Sequence, residues 1–127
     1  MEVKQLLDFS SDKSIYIQIA EAIENEIITG NLIEDDQAPS TNQFAKIYQI
    51  NPATAGKGLN ILVDEGILYK KRGIGMFVSP GARSKIIKKR QDMFFKEILP
   101  EIIREANRLD IPTLDIVKFI KDYKGGE

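Results

Sequence analysis

A mostly helical protein with one small β-hairpin, a winged helix-turn-helix followed by a short helical C-terminal segment, is the fold class this sequence predicts. Three observations predict it. A capping box at Ser40 opens one short amphipathic stretch, an Asn-Pro restart at Asn51 opens a second, and a glycine-tipped pair of apolar runs follows the second within residues 67–79. Helix, tight turn, helix, hairpin is the order of a winged helix.

Ser40-Thr41-Asn42-Gln43 has the form in which the Ser40 oxygen takes an orphan amide of the first turn and the Gln43 side chain reaches back. Phe44, Ala45 and Tyr48 then recur at the spacing of one buried helical face. At Asn51-Pro52 the asparagine can cap, and proline fits the first helical position, where its missing N–H costs nothing. Ala55, Leu59 and Leu62 carry the inner face of this second helix as far as Gly66, a residue suited to a left-handed stop. Ala53, Thr54, Lys57 and Asn60 are left pointing outward.

Ahead of this pair, residues 1–12, with a short apolar stretch at 3–7 and Phe9, suggest an irregular arm over some of the core. Ile15, Ile19, Ala22, Ile23 and Ile27 predict a first helix that ends at Gly30, with Gln18, Glu21, Glu24 and Glu26 mainly outside. Leu32-Ile33 should anchor the loop that follows, and Gln37-Ala38 can form a very short strand that Pro39 terminates. Two apolar runs around Arg72-Gly73-Ile74-Gly75 give the hairpin, or wing. Pro80-Gly81 marks a boundary, so that residues 1–80 form the winged domain and residues 81–127 a helical tail. The tail carries a helical apolar stripe over residues 82–109, which Pro100 should kink or break, and a last helix capped by Thr113.

Composition narrows the chemistry. With 127 residues the chain holds one domain plus an appendage. No cysteine and no histidine remove disulfides, thiol chemistry and the usual zinc and copper sites, so neither cofactor nor metal is expected. No apolar run reaches membrane-spanning length and residues 1–4 lack a secretory pattern, which suggests a cytoplasmic protein. Residues 1–80 hold 7 basic and 11 acidic side chains, residues 81–127 hold 11 and 8. Binding to DNA must therefore rest on a local basic surface.

That surface has a predicted outline. Thr54 and Lys57 lead on the second helix, with Asn51, Pro52 and Ala53 beside them at its start. Ser40, Thr41 and Asn42 can present amides and hydroxyls to a phosphate. Lys70, Lys71 and Arg72 suit phosphate contact, and Gly73, having no side chain, lets the wing backbone approach a groove. Arg83, Lys85, Lys88, Lys89 and Arg90 extend the positive region or form a wet helix face. The tail is too short to enclose a core unaided. Phe94, Phe95, Ile98, Leu99, Ile102 and Ile103 are thus the predicted seam with a second copy, against the alternative of packing on the same chain.

Residues 15–78 resemble the GntR family of bacterial transcription regulators, and the short tail resembles its YtrA-type subfamily. Ile15-Tyr16-Ile17-Gln18-Ile19, Asp36-Gln37-Ala38-Pro39-Ser40, Asn51-Pro52-Ala53-Thr54, Asp64-Glu65-Gly66-Ile67-Leu68 and Arg72-Gly73-Ile74-Gly75-Met76-Phe77-Val78 carry the likeness together. It implies an operator-binding homodimer, usually a repressor, with a tail too small for the effector pocket of larger relatives. Family members usually carry Arg where this chain has Asn42, and often at Pro52 and Gly56; Glu34-Asp35 replaces their Pro-Gly turn. Those departures, with Gly56 and Gly58 inside the second helix at about 1 kcal/mol each, imply modest DNA affinity or a helix that firms up on DNA. A winged-helix module that binds another protein and never DNA is the competing expectation; an acid-base enzyme finds no recognisable pair of groups.

Overall fold

The structure is a computed structural model that describes residues 14–125; the arm expected over residues 1–12 lies outside the described residues. Contacts divide the chain into two compact units, Met1–Lys88 and Lys89–Glu127.

The first unit begins with α1 (Ile15–Ile28), whose Ile19, Ala22, Ile23 and Ile27 enter the core. Gln18, Glu24 and Glu26, expected on the outside, are buried as well. Apolar periodicity misplaced them because it does not see the neighbouring chain fold back. The Glu26 carboxylate accepts from Asn31 Nδ2 at 2.7 Å, and its carbonyl accepts the Asn31 and Leu32 amides at 2.9 and 3.1 Å; Gln18 and Glu24 are not without partners either. Of the apolar pair in that loop, Leu32 packs on the core while Ile33 is exposed.

Helices α2 (Thr41–Tyr48) and α3 (Pro52–Asp64) form the helix-turn-helix. Both expected caps are made: Ser40 Oγ accepts the Gln43 amide at 3.1 Å, Gln43 Oε1 accepts the Ser40 amide at 2.7 Å, and Asn51 Oδ1 accepts the Ala53 amide at 2.7 Å. Gln49 turns the chain between them with a left-handed φ of 54°. Phe44 and Tyr48 stack with ring centroids 5.6 Å apart beneath α2, and Ala55, Leu59 and Leu62 close the core from α3. Gly66, at φ +75°, ends α3 as expected.

Strands β1 (Leu68–Lys71) and β2 (Gly75–Val78) pair antiparallel, with Leu68 opposite Val78 and Lys71 opposite Gly75. A rudimentary third strand flanks β2: Gln37 bridges Phe77, the Asp35 and Ala38 amides donate to Val78 and Met76, and the Val78 amide donates to Asp36. β1 is therefore the outer strand of the hairpin, and it packs beside α3. Helix α4 (Ala82–Met93) follows. The first unit continues past Pro80-Gly81 because Ala82 and Ile86 are fully buried in its core. Arg83 Nε donates to the Ile28 carbonyl at 3.0 Å and Lys85 Nζ to the Gly66 carbonyl at 3.2 Å. These two cations sit at the C-terminal ends of α1 and α3, where unpaired carbonyls favour positive charge.

In the second unit, a single π-helical turn over Phe94–Ile98 leads into α5 (Leu99–Arg108), and α6 (Thr113–Asp122) follows. The π turn lies just ahead of Pro100. Its widened bonding, with the Leu99 amide reaching the Phe94 carbonyl, accommodates a proline that has no N–H and would crowd the carbonyl four residues back. The expected break is thus absorbed as a bulge. Thr113 is the first helical residue and not the cap; the extended Pro112 takes that place, its carbonyl accepting the Asp115 amide at 3.0 Å.

Candidate functional site

The outer face of α3 is fixed by its inner one. With Ala55, Leu59 and Leu62 fully buried, the helical repeat leaves Pro52, Ala53, Lys57 and Asn60 exposed and Thr54 half-buried. α3 is helical throughout Pro52–Asp64, both of its glycines included. They have different surroundings. A Cβ on Gly58 would lie 2.7 Å from the Tyr16 carbonyl oxygen and 3.0 Å from the Ile19 side chain, whereas one on Gly56 would meet Thr41 Cγ2 at an ordinary 3.6 Å. Gly58 is there because α1 and α3 touch; Gly56 is not required by packing.

Ser40 and Asn42 are exposed and Thr41 half-buried at the start of α2. The Ser40 hydroxyl is engaged in its cap, while Thr41 sits against α3 near Gly56. Asn51 is likewise exposed and capping. These residues share one region because α2 packs on α3.

On the hairpin, Lys70, Lys71, Arg72 and Gly73 are all exposed. Gly73 takes φ +77°, and a Cβ there would meet nothing within 4 Å; the chain turns over the three residues between Lys71 and Gly75, closed by the Ile74 amide on the Lys71 carbonyl at 2.9 Å. Lys70 and Lys71 do not form one cluster. Strand alternation puts them on opposite faces: Lys71 shares a face with Phe77, its Nζ 4.5 Å from the ring centroid, while Lys70 lies on the face that buries Leu68 and Val78. Tyr69 stacks on Phe77 at 5.8 Å, and its hydroxyl donates to Asp35 Oδ1 at 2.7 Å. That bond, with a smaller contribution from desolvation and the Asp35 charge, holds the Tyr69 phenol above its ordinary value.

Sequence reasoning passed over Tyr16. Its ring lies under the Lys57 ammonium, 4.1 Å from centroid to Nζ. An aromatic one step off the apolar stripe of α1 was the available signal. In the second unit, Phe94, Phe95, Ile98, Ile102 and Ile103 are 42–65% exposed and Leu99 is half-buried; Phe94 and Phe95 meet edge to face at 5.4 Å. The opposite side of α5 is laced by Arg104–Glu101 and Arg108–Glu105 ion pairs, each at 2.6 Å. Among the described residues no cluster of acidic side chains could hold a metal ion, and no helix is long and apolar enough to cross a membrane.

Comparison with known proteins gives the same fold. Residues 15–78 match the family model described as bacterial regulatory proteins, gntR family. The HTH-type transcriptional repressor YtrA of Bacillus subtilis is 30% identical over 125 residues, 95% of each chain. Among solved structures, a transcriptional regulator of the GntR family from Bacteroides thetaiotaomicron superposes with a TM-score of 0.71 at 32% identity, over 86% of this chain and 95% of that one. BusR of S. agalactiae, solved in complex with its busAB-promotor DNA, has a TM-score of 0.58 at 27% identity, over 87% of this chain and 54% of that one.

Proposed function

This chain belongs to the gntR family of bacterial regulatory proteins and is a DNA-binding transcriptional regulator, not an enzyme; from that premise we propose that it is a cytoplasmic repressor that binds an inverted-repeat operator as a homodimer. In this reading residues 1–80 meet DNA and the tail over residues 81–127 joins two copies. The observation that carries it is the exposed start of α3, capped by Asn51 and oriented by a buried inner face. Thr54 and Lys57 enter the major groove beside Asn51, Pro52 and Ala53, and Ser40, Thr41 and Asn42 steady the adjoining backbone. Lys70, Lys71 and Arg72 reach phosphates as the Gly73 turn approaches the minor groove.

Selection of bound duplexes from a random pool tests this. An inverted repeat supports a symmetric dimer, and a single unrepeated site removes it. Replacing Arg72 by Met should weaken binding and lower the salt slope by about one unit. A response to duplex that ignores salt would instead support the protein-interaction module.

A further inference from the structure

Lys57 is the cation on the outer face of α3, and its ammonium meets a ring of the same chain. It rests on the Tyr16 ring, 4.1 Å from the centroid. Two features of the chain create that contact. Gly58, the next residue, has no side chain, which allows the backbone of α1 at Tyr16 to come within touching distance of α3. Tyr16 itself is half-buried, so its ring has a fixed place from which to meet the exposed lysine.

We propose that Tyr16 is a positioning residue for DNA binding: its ring holds the Lys57 ammonium in the orientation in which α3 presents it to the duplex. This rests on the reading above, in which Lys57 contacts DNA. A lysine head carried on a flexible four-carbon stem loses conformational freedom when it docks. A stem already pinned by cation-ring attraction loses less. The ring contributes through Lys57 and does not itself touch DNA.

The contact is exposed, so its expected effect on affinity is about two- to fivefold. Binding of the full chain to a mixed-sequence duplex in low salt is followed by fluorescence anisotropy, with thermal melting to confirm that each variant folds. Tyr16→Phe keeps the ring and should bind as the parent does. Tyr16→Leu should weaken binding by that factor, and adding it to Lys57→Met should cost nothing further, since the two residues act as one unit. Tighter or unchanged binding by Tyr16→Leu overturns the proposal, because the ring then sequesters the cation or does nothing to it. So does a Tyr16→Leu loss that persists beside Lys57→Met, which would make the ring a direct contact. If Lys57→Met alone leaves binding unchanged, the docking of α3 through Lys57 falls together with the proposal; if Lys57→Met weakens binding and Tyr16→Leu does not, docking stands and only the positioning role is lost.

Discussion

The Tyr69 hydroxyl donates to the Asp35 carboxylate at 2.7 Å, tying the outer strand of the hairpin to the loop that precedes α2. Asp35 has a left-handed φ of 68°, at the place where the family resemblance puts glycine. Aspartate is among the few residues with a side chain that tolerate this conformation, and here the same side chain also anchors the wing. The bond favours the neutral phenol. Tyr69 therefore ionises above the usual tyrosine value of 10.0, and Asp35→Asn should bring that titration back down. Ultraviolet difference titration of the parent and of Asp35→Asn, each against its Tyr69→Phe counterpart, reads the one phenol among 4 tyrosines; no downward movement on Asp35→Asn would remove the anchor.

The two glycines of α3 should respond in opposite directions. Gly58→Ala forces a methyl to within 2.7 Å of a backbone carbonyl, and overpacking of this kind costs about 1–3 kcal/mol. Gly56→Ala meets only the Thr41 side chain, at an ordinary van der Waals distance of 3.6 Å, and removing a glycine from a helix interior stabilises by about 0.5–1 kcal/mol. Urea denaturation of both variants checks the pair. Equal responses would mean that α1 and α3 do not approach as closely as described.

This pair also marks where the sequence stops being legible. The Ser40 and Asn51 caps, the Asn-Pro start and the Gly66 stop are local chemistry, written in four or five consecutive residues, and they appear in the structure, whereas the cap expected at Thr113 falls one residue earlier, on Pro112. The identity of the neighbour that a residue meets from far along the chain is not local. Nothing in the spacing around Gly58 announces Tyr16, and nothing in the pattern of α1 announces that Asn31 will return to Glu26. For the candidate site, the outward face of α3 follows from helical period alone, whereas the cation-ring contact on Lys57 needs two helices in place. The π turn before Pro100 was half legible: the proline shows that the helix must yield, but not that it yields by widening.

Tyr48 should set an alkaline limit on stability. Burial foremost, and then the charge of Glu26, push its phenol up to about 12. The unfolded chain ionises this group at its ordinary 10.0, so the stability tied to the neutral buried phenol is complete below that value and is lost as pH rises through about 12. Among the described residues the hydroxyl is buried with no hydrogen-bond partner. Tyr48→Phe keeps the stacking on Phe44, removes an unsatisfied group worth about 1 kcal/mol, and should flatten the alkaline fall. Denaturation midpoints across this pH range, parent against variant, give both results at once.

The apolar face of the second unit makes the last prediction. Phe95 is 65% exposed and Ile98 47% exposed, on the π turn that ends at α5, away from the Glu101–Arg104 and Glu105–Arg108 pairs that keep the other side of the helix in water. If this face is the seam between two copies, each large apolar group it buries contributes up to about 1.5–3 kcal/mol, and placing a charge there removes that contribution and adds a desolvation cost. Phe95→Glu or Ile98→Glu should therefore raise the dimer dissociation constant by about tenfold or more, seen by sedimentation velocity as a shift from dimer to monomer at micromolar concentration. Arg104→Ala, on the salted side, serves as the control and should leave the dimer intact. A parent chain that sediments as a monomer, or a dimer indifferent to both glutamates, would put the seam elsewhere. Operator binding provides a second reading of the same variants, since a chain that has lost its partner grips one half-site and forfeits the gain from linking two contacts.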